Sequence, residues 1–133
     1  MIINIYKPKG ITSFGVVKKI RKIVREKKVG HGGTLDPFAE GVLIIGTGSN
    51  TKDLKKITDT DKTYTASIEL GKTTNTLDPE GDIIVKKKIP RLNKSKINKV
   101  LESFLGLSMQ TPPMFSAKKI GGIKLYELAR KNI

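Results

Sequence analysis

Every apolar run in this chain is short, and a glycine or proline closes each one. IINIY (residues 2–6) runs into KPKG, and VLII (42–45) runs into GTG. IIVKKKI (83–89) stops at Pro90, and the two halves of KIGGIK (119–124) meet at Gly121 and Gly122. Glycine admits left-handed turns that other residues avoid, and proline lacks the N–H that a sheet ladder uses. Such punctuation leaves no room for a membrane span, which takes about 20 consecutive apolar residues. Strand and helix signals also fail to alternate regularly, and the turns between them are local. That pattern points to an α+β fold with a mixed, mainly antiparallel sheet and flanking helices, rather than a doubly wound parallel sheet.

The periodicities place the elements. Residues 2–6 favour a strand. Thr12 and Ser13 offer an N-cap for a helix over SFGVVKKIRKIVREKK (13–28), with Val16, Val17, Ile20, Ile23 and Val24 on one face and Lys18, Arg21, Lys22 and Arg25 on the other. VLIIGTG reads as a buried strand and TKDLKKI as a short helix. YTASIEL (64–70) alternates cleanly, with Tyr64, Ala66, Ile68 and Leu70 on one side, as a half-buried strand does. GKTTNTLDPEGD reads as loop and IIVKKKIP as a strand ended by Pro90. A helix over NKSKINKVLESFLG carries Ile97, Val100, Leu101, Phe104 and Leu105 as its stripe, with Asn93 or Ser95 to cap it. QTPPMFSA must be extended. A hairpin around Gly121-Gly122 and the opening of a helix in LYELARKNI complete the chain.

The 133 residues suit one domain. With no Trp, the core must be aliphatic. Cysteine is absent and His31 is the single histidine, so neither a disulfide framework nor a zinc site is expected. Lys and Arg number 26 against 12 acids, a net charge of +14. An excess of this size points to a polyanionic partner, most often nucleic acid. The N-terminus lacks the apolar run of a signal peptide, so the expected location is the cytoplasm.

Three pieces imitate known sites and fail on spacing. LGKTT (70–74) holds the Gly-Lys-Thr of a phosphate loop, but the glycine required five positions earlier is Ala66. GTGSNT (46–51) has Thr51 where a dinucleotide fingerprint needs its third glycine. Nothing around any serine resembles a nucleophile elbow. Asp36 and Glu40 are four apart, but Pro37 and Gly41 argue against a regular helix between them, so Glu40 is read as solvent-facing.

Asp36 remains, within GHGGTLDPFAEGVL (30–43). Pro37 pushes it toward extended geometry. Gly32 and Gly33 let the chain turn and let a bulky ligand approach. The residues leave two readings open: a turn aspartate that bonds its own loop, or an ionised, poorly solvated carboxylate acting as nucleophile or base.

Here the sequence resembles the TruB family of bacterial tRNA pseudouridine-55 synthases, whose signature runs G-H-x-G-x-L-D-P-x-A-x-G-x-L. Gly30, His31, Gly33, Leu35, Asp36, Pro37, Ala39, Gly41 and Leu43 match every fixed position. YKPKGITS resembles the K-P-x-G-x-T-S opening, DKTYTASIELG the D-K-x-Y strand, and TNTLDPEGDI the T-D-T-x-D-x-x-G loop with Asn75 in place of its first acid. TPPMFSAKKIGGIKLYELAR resembles a fifth block. The resemblance covers nearly the whole chain in order. The short lead and the spacing favour the stand-alone bacterial type over the guide-directed relatives.

The resemblance implies a pseudouridine synthase fold and a cofactor-free isomerase that needs no metal. Such an enzyme flips a T-loop uridine of tRNA, breaks its glycosidic bond, and rejoins the base through carbon 5. Asp36 matches the catalytic aspartate; attack on the base, attack on the sugar and proton removal from the sugar all remain open. Tyr64 matches the tyrosine that stacks on the base, His31 a histidine that contacts the T-loop, and Lys7 and Pro8 a structural motif. Family chains are about twice as long and carry downstream a Y-I-R-T-type motif whose arginine pairs with the aspartate. Arg21, Arg25, Arg91 and Arg130 are not in such a motif. Residues 1–133 are therefore expected to be the N-terminal part of a catalytic domain, without the downstream half or any C-terminal RNA-binding domain. The alternative is a T-arm RNA-binding fragment with weak or no turnover.

Overall fold

The computed structural model describes residues 1–116 and 118–129. The chain divides into two compact units, Met1–Ala66 and Ser67–Ile133.

The first unit is a three-stranded antiparallel sheet backed by one helix. β1 (Ile2–Lys7) and β2 (Val29–His31) flank β3 (Gly41–Thr47), giving the order β1-β3-β2. Ile5 lies opposite Leu43, and His31 opposite Ile45. The helix α1 (Ser13–Val24) starts as expected, its first turn capped by the Thr12 hydroxyl, which accepts from the Gly15 N–H at 2.9 Å. Its buried face supplies Val16 and Val17, which pack with Val29, Leu43 and Ile45. Ile11, Ile20, Val24 and Leu35 close the margins of this aliphatic core.

α1 ends at Val24, short of the expected Lys28. Arg25 is left-handed, with φ 52°, and this reversal lets Val29 enter the core only four residues later. β2 was not expected from the sequence; three residues are too few to show a period. After β3, a 3-10 turn (Gly48–Lys52) leads into α2 (Leu54–Thr58). Leu54 packs tightly on the sheet: a Cβ on Gly46 would sit 3.0 Å from its Cγ.

YTASIEL is not a strand. Residues 62–69 carry no ladder, and Tyr64, Ile68 and Leu70 are exposed. Alternation marks a segment able to pair, but a strand exists only where a neighbour supplies the hydrogen bonds. None does so among the described residues.

The second unit is built from local pieces. β4 (Lys72–Thr74), which the sequence reading assigned to loop, pairs antiparallel with β5 (Ile83–Lys86). The connection staples itself. The Asp78 carboxylate accepts from the Thr76 hydroxyl at 2.7 Å and the Glu80 N–H at 2.9 Å, and the Asn75 side chain accepts from the Asp82 N–H at 3.0 Å. β5 stops at Lys86, before Pro90. α3 (Lys94–Glu102) is capped by the Asn93 side chain, which accepts from the Lys96 N–H at 2.9 Å. No regular element forms over 103–113, as the two prolines imply. β6 (Lys119–Ile120) and β7 (Ile123–Lys124) form the expected hairpin, both turn glycines at positive φ. α4 (Leu125–Ala129) follows; the remainder of the expected terminal helix, 130–133, lies outside the described residues, as does Ala117.

Ile45 is fully buried at the centre of the first unit. Ile45→Ala should cost about 2–5 kcal/mol, from lost burial plus the cavity left behind. Urea unfolding followed by circular dichroism measures it.

Candidate active site

Asp36 sits on the loop between β2 and β3, and the backbone on both sides of it is tied to the 7–13 segment. On one side, the Ser13 hydroxyl accepts from the Leu35 N–H at 2.9 Å and donates to the Leu35 carbonyl at 3.0 Å. On the other, the Pro37 carbonyl accepts from the Gly10 N–H at 2.8 Å and from the Lys7 ammonium at 3.4 Å. Gly10 reaches this position with φ +81°, which favours glycine. The Asp36 carbonyl closes the tip by accepting from the Ala39 N–H at 3.1 Å.

Lys7 is the unusual member. Its side chain is fully buried, and its ammonium also donates to the carbonyls of Pro8 at 3.0 Å and Ile11 at 2.9 Å. An ammonium has three donors, and here three carbonyls take them. No carboxylate forms an ion pair with it among the described residues. The cation is solvated by loop backbone, which requires both loops to hold one shape.

The Asp36 side chain is exposed, and among the described residues nothing hydrogen-bonds or ion-pairs with it. It does not bond its own loop, so the turn-anchor reading fails. Its exposure also corrects the expectation of a poorly solvated group. The ligand approach expected at Gly32 is likewise corrected. A Cβ there would lie 2.9 Å from Thr58 Cγ2 and 3.3 Å from Leu54 Cδ2, so that glycine makes room for α2.

His31 ends β2 five residues before Asp36. It is half-buried, and its Nδ1 is buried without a hydrogen-bond partner. Such an orphan atom calls for an explanation, and a ligand or a bound water supplies one. Tyr64 is 70% exposed, and no hydrogen bond or ring contact joins it to Asp36 or His31. The structure thus holds Asp36 and His31 on one loop-bearing edge and does not bring Tyr64 to them.

Glu40 is exposed, as expected, yet engaged. Tyr6 Oη donates to its carboxylate at 2.8 Å, and Lys9 Nζ lies 3.9 Å away. The sequence carried no sign of this strap, because 34 residues separate the partners. Its first effect is on Tyr6: the hydrogen bond to Glu40 holds the phenol above its ordinary pKa of 10.0. On α1, Arg21 is not free for ligand. Its Nη2 donates to the Val29 carbonyl at 3.0 Å, and its guanidinium and the Lys18 ammonium lie 5.5 and 5.3 Å from the Phe14 ring. Lys18, Lys19, Lys22 and Arg25 remain on the exposed basic face. Among the described residues no three acid or histidine side chains gather as metal ligands, and no helix is long and apolar enough to cross a membrane.

An α+β sheet unit thus presents the Asp36 carboxylate on a clamped loop, in a chain of net charge +14. Residues 21–133 match the model of the TruB family pseudouridylate synthase N-terminal domain. Over 132 residues, 99% of this chain and 44% of that protein, it is 48% identical to a tRNA pseudouridine synthase B from Dehalococcoides mccartyi. A protein of the same name from Mycoplasma mobile is 46% identical over 133 residues, 100% of this chain and 46% of that protein. A chain in the crystal structure of a Cbf5-Nop10-Gar1 complex superposes with a TM-score of 0.59 at 31% identity, covering 89% of this chain and 30% of that one. The chain belongs to the TruB family of pseudouridylate synthases. It spans less than half the length of these curated relatives.

Two predictions follow from the clamp and the strap. Lys7→Met leaves buried carbonyls without their donor and should cost about 3 kcal/mol. Amide exchange at Gly10, whose N–H is bonded to Pro37, should accelerate with it. The Tyr6 phenol contributes stability while protonated; with its pKa raised, that contribution is complete below 10.0 and disappears as pH rises through the higher folded value. The difference in melting temperature between wild type and Tyr6→Phe should therefore hold constant at neutral pH and shrink only beyond 10.0.

Proposed function

We propose that this chain carries the aspartate-bearing part of a cytoplasmic tRNA pseudouridine(55) synthase, a cofactor-free isomerase that acts on a uridine in the T-loop. The observation that carries the reading is Asp36, whose carboxylate stands free on a loop tied down on both sides. A reactive group must be held in place while its own oxygens stay available to substrate.

The reaction is an isomerisation. The bond from uracil N1 to ribose C1′ breaks, the base turns, a bond from C5 to C1′ forms, the C5 proton leaves to solvent, and N1 takes up a proton in place of its lost bond. Asp36 acts at this junction as nucleophile or base. A uridine folded into the T-loop must first be flipped out. Tyr64 is the stacking surface for the extruded base, worth on the order of 1–3 kcal/mol. Its exposure suits a residue whose partner is the substrate. The orphan Nδ1 of His31 fits a contact with the T-loop. The basic face of α1 and the exposed lysines of 86–99 carry phosphate contacts.

One observation favours the second reading for these 133 residues by themselves. No cation pairs with Asp36 among the described residues, and Arg21 is engaged elsewhere. Without a basic partner to orient the carboxylate, the chain binds a T-arm hairpin with little or no turnover.

Tritium release from 5-tritiated uridine in a T-arm hairpin separates the two readings. In any form of the protein that turns over, Asp36→Asn should lower the rate by about 10³-fold or more. Hairpin binding by that variant should stay within a few-fold. Full turnover by Asp36→Asn removes the proposal. In gel shifts, the logarithm of the binding constant should fall against log salt with a slope of about −3 or steeper.

A further inference from the structure

β1 reaches the Asp36 loop from both of its faces. Successive strand residues point to opposite sides of a sheet. Ile5 and Lys7 turn toward the core, while Asn4 and Tyr6 stay exposed. Lys7 therefore grips the loop from the buried side, at the Pro37 carbonyl. Tyr6 grips it from the exposed side, at the Glu40 carboxylate.

The two grips hold different parts. Leu35 and Pro37 are tied through their backbone to the 7–13 segment. Residues 38–40 have one polar link to another element among the described residues, the Glu40 side chain. One of its oxygens accepts from Tyr6 Oη at 2.8 Å, and the other lies 3.9 Å from Lys9 Nζ. An exposed ion pair at that distance adds little, so the hydrogen bond is the working half of the link.

The sheet ladder cannot replace it. β1 and β3 pair as far as Lys7 opposite Gly41. One step further Pro8 would face Glu40, and proline has no N–H to add a rung. Gly41 stands between ladder and loop at φ +134°, with nothing within 4 Å of where a Cβ would be. A glycine in open space is a swivel. The bond from the Ala39 N–H to the Asp36 carbonyl makes 36–39 one turn, so play at Gly41 is passed on to Asp36. The strap from Glu40 to Tyr6 crosses that swivel.

We infer that Tyr6 and Glu40 are a positioning pair for Asp36: their bond spans the swivel at Gly41 and fixes the direction of a carboxylate whose own oxygens have no partner. Neither residue occupies a fixed position of the family signature, so the strap does not follow from the motif. The inference rests on the reading of Asp36 as the reactive group. Such a group must be held to within about 0.5 Å by neighbours that are themselves locked.

Nitrogen-15 relaxation and amide exchange in the 133-residue chain test the pair. Tyr6→Phe and Glu40→Ala should each lower the backbone order parameter at Asp36 from about 0.85 toward 0.6. Exchange at Ala39 should accelerate about tenfold, while Gly10 and residues 41–47 keep their protection. The double variant should be no looser than either single one, because both remove the same bond. Glu40→Gln, whose amide oxygen still accepts from the phenol, should restore most of the order. In any form that turns over, tritium release by Glu40→Ala should fall about tenfold with hairpin binding within about twofold. Unchanged order at Asp36 in both single variants overturns the inference. So does equal loosening of Gly10 and 41–47, which marks general destabilisation, or a loss confined to hairpin binding. The relaxation readouts need no turnover. Full turnover by Asp36→Asn would remove the T-arm reading and leave them unmoved, so the two failures are distinguishable.

Discussion

A buried ammonium organises the first unit. Lys7 has no solvent contact and no carboxylate partner among the described residues, so its charge depends on the carbonyls of Pro8, Ile11 and Pro37. Two of those belong to the turn after β1 and one to the loop that bears Asp36. A charge in such a place tolerates little displacement, because each lost acceptor leaves an unsatisfied donor in a medium that cannot replace it. The same turn contributes the Gly10 N–H to Pro37, and the start of α1 contributes Ser13 to Leu35. Leu35 itself packs against the core. Asp36 is therefore exposed but not loose. The opening motif acts on Asp36 by holding its neighbours.

What the molecule leaves unsatisfied is equally informative. In a folded chain, buried polar atoms find partners and apolar stripes find cover. Exceptions among the described residues include the buried Nδ1 of His31 and the carboxylate of Asp36 with no cation. These two lie on the loop-bearing edge where an RNA nucleoside is proposed to dock. Polar vacancies suit a polar ligand, and apolar ones suit a hydrophobic interface.

Much of this was legible in local pattern. The stripe of Val16, Val17, Ile20 and Val24 defined α1, and Thr12 capped it. Asn93 and the Ile97 stripe defined α3, and Gly121-Gly122 defined the hairpin. These signals concern residues within a few positions of one another, where backbone geometry imposes the period. YTASIEL misled for the converse reason: its alternation is a capacity for pairing, and no partner strand stands beside it among the described residues. Lys72–Thr74 erred in the other direction, a polar triplet drawn into β4 by β5. Asp36 and His31 were marked by a family signature. The Tyr6–Glu40 strap, the tie from Arg21 to Val29 and the packing of α2 over Gly32 had no such mark.

The sequence by itself determined the α+β class, the cationic character and the family, and it singled out Asp36 as the candidate carboxylate. Composition, period and motif are properties of the chain taken in order. Only the tertiary structure decided that Asp36 is exposed and unpaired, that Lys7 is the buried pin beneath its loop, that Gly32 serves α2, and that α3 stands uncovered. Each of those depends on which groups meet across tens of residues. Such meetings are settled by the joint packing and hydrogen-bond satisfaction of the folded chain, which no local pattern encodes.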